Sequence, residues 1–297
     1  MSLSATEAAF EGFRVARRSP LAIVWWSGAY LLMFAAVFLI GGPALVQVMA
    51  QAQALESGGD PSMDDIRALG ESYAAFMGWI VPPAIIIGAM LNAAVARAVI
   101  RPAESAFGYL RLGMDEVRVF VVSLALGVLV AVAAMVIFGV IGVLAGFASA
   151  SGQSWMWLII VLASLAGIAA IVWLMVRLSL AIPITLAERR MAVLSSWGLT
   201  KGHFWPLFGI AVIAAIMSII VSLLGGIVAA PLTLLTGGLN TLSSQEGATL
   251  VELIQVGWPA LLAWGVINSV LSALQIAVLY APFSAAYLQL RGAAPTE

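Results

Sequence analysis

The chain of 297 residues has no cysteine, one histidine and few charges, and each shortage removes a class of function. Without cysteine there is no disulfide framework and no thiol chemistry, and the redox compartment is left open. The lone histidine, His203, does not make an imidazole-based metal site by itself, and no thiolate is there to help it. Charged residues are 9% of the chain, against roughly a quarter in an ordinary soluble domain. A formal net charge of −1 argues against a nucleic-acid partner, which needs a clustered basic surface. The sequence also lacks a phosphate-cradling glycine loop, a nucleophile elbow and any carboxylate pair within an apolar run for acid–base work. The expectation is a protein that is not an enzyme and takes no cofactor and no metal. The same lack of carboxylates weakens an ion-coupled transporter, because a charge held in the bilayer is costly and is kept for such work.

What the chain does have is apolar surface, 63% of its residues. A soluble protein of this size must cover its exterior with polar groups, whereas a bilayer removes that demand. A helix needs about 20 apolar residues to cross a hydrocarbon core about 30 Å thick. Six segments qualify: 21–42, 73–98, 119–147, 155–176, 207–230 and 258–283. Barrel strands alternate apolar and polar over about ten residues, and these runs are apolar on every face. The fold class is therefore all-α and integral to a membrane, a single six-span domain over 1–297. Arg97 and Arg177 stand at span ends, where long side chains are expected to snorkel to the headgroups. The first eighteen residues carry Glu7, Glu11, Arg14, Arg17 and Arg18 ahead of a full-length span, which is not a secretory-signal pattern.

Orientation follows from the thirteen basic residues, of which all but Arg67 fall on one side of the six spans. Arg67 is diluted by Glu56, Asp60, Asp64, Asp65 and Glu71. The positive-inside rule makes the basic side cytoplasmic, so both termini are expected there, in a bacterial inner membrane. Three segments on that side, 4–18, 103–118 and 187–203, are moderately amphipathic and read as helices in the headgroup plane. The first opens with a Ser4-x-x-Glu7 capping-box pattern. Ala9-Phe10-Glu11-Gly12-Phe13-Arg14 echoes Ala106-Phe107-Gly108-Tyr109-Leu110-Arg111, and more faintly Trp197-Gly198-Leu199-Thr200-Lys201. Three units of one interfacial helix plus two spans fit the length; so does the selection of aromatics, Gly and Arg by any interfacial helix. On the opposite side, Gly58-Gly59-Asp60-Pro61 punctuates the acidic 43–71 connection, and 148–154 is a tight turn. Pro82 and Pro83 fall in the first turns of their span, where proline costs little.

The stretch Arg177-Leu-Ser-Leu-Ala-Ile-Pro183, with Glu188-Arg189-Arg190 and Ser195-Ser196-Trp197-Gly198-Leu199-Thr200-Lys201-Gly202-His203-Phe204-Trp205 after it, resembles a known family. This is the six-span membrane domain attached to some glycerophosphoryl diester phosphodiesterases, with the related YciC-like bacterial membrane proteins. In that family an Arg ends the fourth span, a Pro and a Glu follow, and a Trp-x-Leu-Thr-x-Gly-x-Phe-Trp segment leads into the fifth. Ala286-Tyr287-Leu288-Gln289-Leu290-Arg291 is similar to the family's closing Tyr-Tyr-Asp-Leu-Arg, with Gln289 in place of the acid. The sequence shows no soluble phosphodiesterase domain, so the resemblance implies a fold and not an activity.

Two groups of residues are candidates for a site. Arg177, Arg189, Arg190 and Lys201, with Glu188 and His203, suit a headgroup-level cluster for anionic lipid phosphates. The plainer alternative, that they set topology and cap helices, carries more weight, and Glu188 also suits a tie back to Arg177. Asn268, Ser272 and Gln275 share one face of the sixth span and suit a wet path, although such amides more often bond neighbouring helices. Asn92 reads the same way. Small residues at spacing four, Gly142 with Gly146 and Ala163 with Gly167, allow close backbones. The leading function is then a non-enzymatic inner-membrane protein that binds or organises lipid or scaffolds an envelope complex. Its expected partners are membrane lipids and another membrane protein. The alternative is a permease for an amphipathic or uncharged solute.

Overall fold

The computed structural model describes residues 4–57, 62–236 and 250–292, and over these the protein is helical with no strand. Two short helices come first, α1 (Ala5–Ala9) and α2 (Glu11–Arg18). Six long ones carry the apolar runs: α3 (Pro20–Ser57), α4 (Met63–Ile100), α5 (Met114–Ser151), α6 (Trp155–Leu178), α9 (Phe204–Thr236) and α10 (Leu250–Arg291). Between α6 and α9 lie α7 (Ala181–Glu188) and α8 (Ser195–Thr200). Among the described residues six helices are long and apolar enough to cross a membrane, and the chain is a multi-pass helical membrane protein.

Local chemistry sets the element ends. Ser4 Oγ accepts from the Glu7 N–H at 3.4 Å, starting α1. Ser62 and Asp65 exchange side chain and backbone at the start of α4, a full capping box. Gly152, at φ +65°, ends α5 in the left-handed region, where a side chain would be strained, and so makes the tight α5–α6 turn. Pro43 and the Pro82–Pro83 pair lie inside α3 and α4 and do not end them. This corrects the expectation for Pro82 and Pro83: α4 begins ten residues before the apolar run, which places them mid-helix.

Lipid tails are as apolar as leucine, so span helices associate by close packing. Buried side chains concentrate toward the part of the bundle that holds α1, α2 and the C-terminal half of α10. There Ala93, Ala94 and Ala98 of α4 and Ala273, Ala277, Ala281 and Ala285 of α10 are buried, along with Trp26, Leu207 and Ile210. Helices α3, α4, α9 and α10 form a compact group. A Cβ on Gly12 would come within 2.5 Å of Val278 Cα, so α2 lies directly on the α10 backbone. Gly108, one position before the residue that stands opposite Gly12 in the sequence echo, also sits close on α3, where an added Cβ would fall 2.8 Å from Trp25 Cβ, whereas Gly198 has open space around it. The α5–α6 hairpin joins this group through α4 and α7. It is held together at Gly167, where a Cβ would fall 2.5 Å from Ile137 Cγ2, and it touches α9 only lightly. Gly142 and Gly146 have nothing near them.

The three short segments differ from the sequence reading. Segment 4–18 is two helices, broken at Phe10. Segment 103–118 is not a surface helix. A 3-10 turn (Ala106–Tyr109) carries Phe107, Gly108 and Tyr109 at positive φ, and α5 has begun by Met114. Of 187–203 only the six residues of α8 form a helix of their own, because α7 runs through Pro183 and ends at Glu188. Residues 58–61, with the expected Gly58–Pro61 break, lie outside the described residues.

Candidate functional site

Two cavities flank α7. The first, about 440 Å³, is polar and lies where α4 ends and α5 begins. Arg97, Arg101, Arg111, Arg118 and Arg189 line it, opposed by Glu104, Asp115 and Glu116. Its floor is Arg97, 1% exposed, which ion-pairs with Glu116, 6% exposed, and donates to the Tyr109 carbonyl. The left-handed turn makes this geometry. Trp26 Nε1 donates to the Gly108 carbonyl at 2.7 Å, and a Cβ on Gly108 would sit 2.8 Å from Trp25 Cβ. Glu116 also accepts from the Gly113 N–H at 3.0 Å, so one carboxylate caps α5 and neutralises Arg97. Around this pair, Arg101 meets Asp115 at 3.3 Å and the Leu186 carbonyl at 2.7 Å. Arg118 meets Asp115 at 2.8 Å, and Arg111 meets Glu104 at 2.9 Å. Arg97 therefore does not snorkel: the turn covers it, and its counter-charge is supplied from inside.

The second cavity, about 670 Å³, is lined by residues of the α5–α6 hairpin on one side and of α4, α9 and α10 on the other. Its walls are apolar, among them Leu126, Val130, Val172, Val212 and Phe283. Ser123 and Asn92 border it too, and both Ser123 Oγ and Asn92 Oδ1 are buried with no hydrogen-bond partner. A buried polar atom left without a partner costs about 1–3 kcal/mol, so two in one cavity call for an explanation.

The four expected headgroup cations do not form one cluster. Arg177 stacks on Trp173 and Trp197, with centroids at 5.5 and 5.9 Å, and its Nε and one terminal nitrogen are buried without partners. The Ser196 hydroxyl donates to the Arg177 carbonyl at 2.7 Å, which docks α8 on the end of α6. Glu188 does not tie to Arg177; it pairs with Arg190 at 2.6 Å and with Arg291. Arg189, left-handed at φ +52°, is the one member that reaches the polar cavity, and Lys201 is exposed at the end of α8. Asn268, Ser272 and Gln275 are half-buried on α10 and border neither cavity, and the Asn268 amide donates back to the Trp264 carbonyl at 2.9 Å. On α2, burial pushes the Glu11 carboxyl up, although Arg14 and Arg18 pull it down.

Sequence reasoning missed the Arg97–Arg118 network and the placement of Asn92 and Ser123 on one cavity. The first had a signal, the interleaving of three acids with four arginines between 97 and 118. The second had none, since nothing local brings α4 and α5 together at that depth. Among the described residues no three of His, Asp and Glu are placed to hold a metal ion. No family model, curated protein or solved structure matches the chain.

Proposed function

We propose that this chain is a bacterial inner-membrane protein that binds a membrane lipid without transforming it, with both termini in the cytoplasm. The observation that carries the reading is the apolar cavity of about 670 Å³ between the α5–α6 hairpin and the rest of the bundle. Its size suits a small-molecule ligand, and walls of this chemistry suit hydrocarbon rather than a solvated solute. The polar cavity beyond α7, with more cations than carboxylates, supports an anionic leaflet around the basic end. The resemblance of the 177–205 stretch to a six-span membrane-domain family is compatible with this reading and adds no chemistry to it.

Filling the cavity tests the proposal. Gly127 and Ala215 line it from α5 and α9, and a Cβ on Gly127 would meet open space. In Gly127→Phe and Ala215→Phe proteins, native mass spectrometry is expected to show lipid adducts lost while the melting temperature holds. Adducts retained at the wild-type level in both variants would remove the cavity as the lipid site.

A further inference from the structure

We propose that the cavity selects an uncharged lipid alcohol, whose hydroxyl donates to Asn92 Oδ1 and accepts from Ser123 Oγ while its chain lies along the apolar walls. This rests on the lipid-binding reading and names the ligand class. Three serines elsewhere in the spans satisfy themselves on their own helix: Ser27 donates to the Ile23 carbonyl at 2.7 Å, Ser164 to Ile160 at 2.7 Å, and Ser269 to Val266 at 2.8 Å. Even Ser179, on the wall of this cavity, donates to the Val176 carbonyl at 2.8 Å. Ser123 has the same option on α5 and does not take it, and its Oγ stays partnerless. Asn92 faces the same cavity from α4, with its carbonyl oxygen unpaired.

The chemistry of those two atoms limits the ligand. No residue lining the cavity is charged, so a phosphate, carboxylate or ammonium inside it would lack a counter-charge in a medium where that is costly. An amide oxygen only accepts, so hydrocarbons, ethers and simple esters offer it nothing. A serine hydroxyl both donates and accepts. A ligand hydroxyl offers what both atoms take, and, Ser179, Tyr280 and Ser284 aside, the rest of the lining is apolar.

The test uses the whole chain in nanodiscs, loaded with deuterated 1-hexadecanol or with hexadecyl methyl ether, which keeps the chain and removes the donor. Probe retained per protein is read by native mass spectrometry for wild type, Ser123→Ala, Asn92→Leu and the double variant. Wild type is expected to retain the alcohol over the ether by about fivefold to tenfold, the worth of a net hydrogen bond or two. The preference should shrink in each single variant and vanish in the double variant, with ether retention unchanged. Equal retention of both probes by wild type would overturn the hydroxyl preference and leave the lipid reading in place. Retention of neither would overturn the lipid reading and this inference with it. Should Asn92→Leu fail to fold, an unchanged preference in Ser123→Ala would still count against the proposal.

Discussion

A guanidinium at the edge of a bilayer is satisfied either by reaching the headgroups or by taking partners inward, and Arg97 takes the second course. Its position at a span end is legible in the sequence; its fate is not, because Glu116 is nineteen residues away and reaches it only through the turn at Gly108. Removing one member of a buried ion pair strands the other charge, at a cost of about 3–5 kcal/mol, whereas replacing both by apolar residues is often near neutral. Arg97→Leu is therefore expected to lower unfolding stability by about that amount, measured by detergent-mixed-micelle titration. Arg97→Leu with Glu116→Leu should recover most of the loss, apart from the α5 cap that Glu116 also supplies. A single variant as stable as wild type would show that the pair contributes little to the fold.

At the scale of the element, hydrophobicity marks where a helix crosses lipid but not where the helix ends. Helices α3, α4 and α5 each have 38 residues, about 57 Å at 1.5 Å per residue, nearly twice the thickness of the hydrocarbon core. The expected span at 73–98 is thus the inner part of α4, and the polar turns from Met63 to Glu71 prolong it. Their start depends on Asp65, whose carboxylate accepts from the Ser62 hydroxyl at 2.6 Å and from its N–H at 3.1 Å. These bonds hold the Asp65 carboxyl below its ordinary value of 3.8. A depressed acid stabilises the folded form above its unfolded pKa and loses that stabilisation as pH falls through the folded one. Amide protection over the first turn of α4 should accordingly be constant from neutral pH down to about 4 and then fall. Asp65→Asn should show weaker protection at neutral pH and no such fall. Protection in wild type that ignores pH down to 2 would mean the cap does not hold the turn.

For the whole molecule, six spans were legible because a run apolar on every face has only one stable form in a bilayer. The cavity was not legible, since it arises where the α5–α6 hairpin fails to close on α9, and no residue pattern encodes a gap. Charge asymmetry belongs to this scale too, and here sequence and structure meet. The Ser4 N–H donates to Gln289 Oε1 at 3.1 Å, and Arg291 pairs with Glu188, so the start of α1, the end of α10 and the α7 connection share one end. Glu11 gathers Arg14 and Arg18 at that end, and the Arg97–Arg118 network joins it through Arg101 and the Leu186 carbonyl. Arg67, paired with Glu71 at 3.0 Å, is at the far end among acids. Basic connections resist translocation, and so the crowded end should stay in the cytoplasm. A reporter active only in the cytoplasm is expected to work when fused after Arg291 and to be silent when inserted at Asp60. If instead the Asp60 insertion were active and the Arg291 fusion silent, the orientation would be reversed. The polar cavity would then face the other leaflet, and the case for an anionic headgroup environment around it would fall with the orientation.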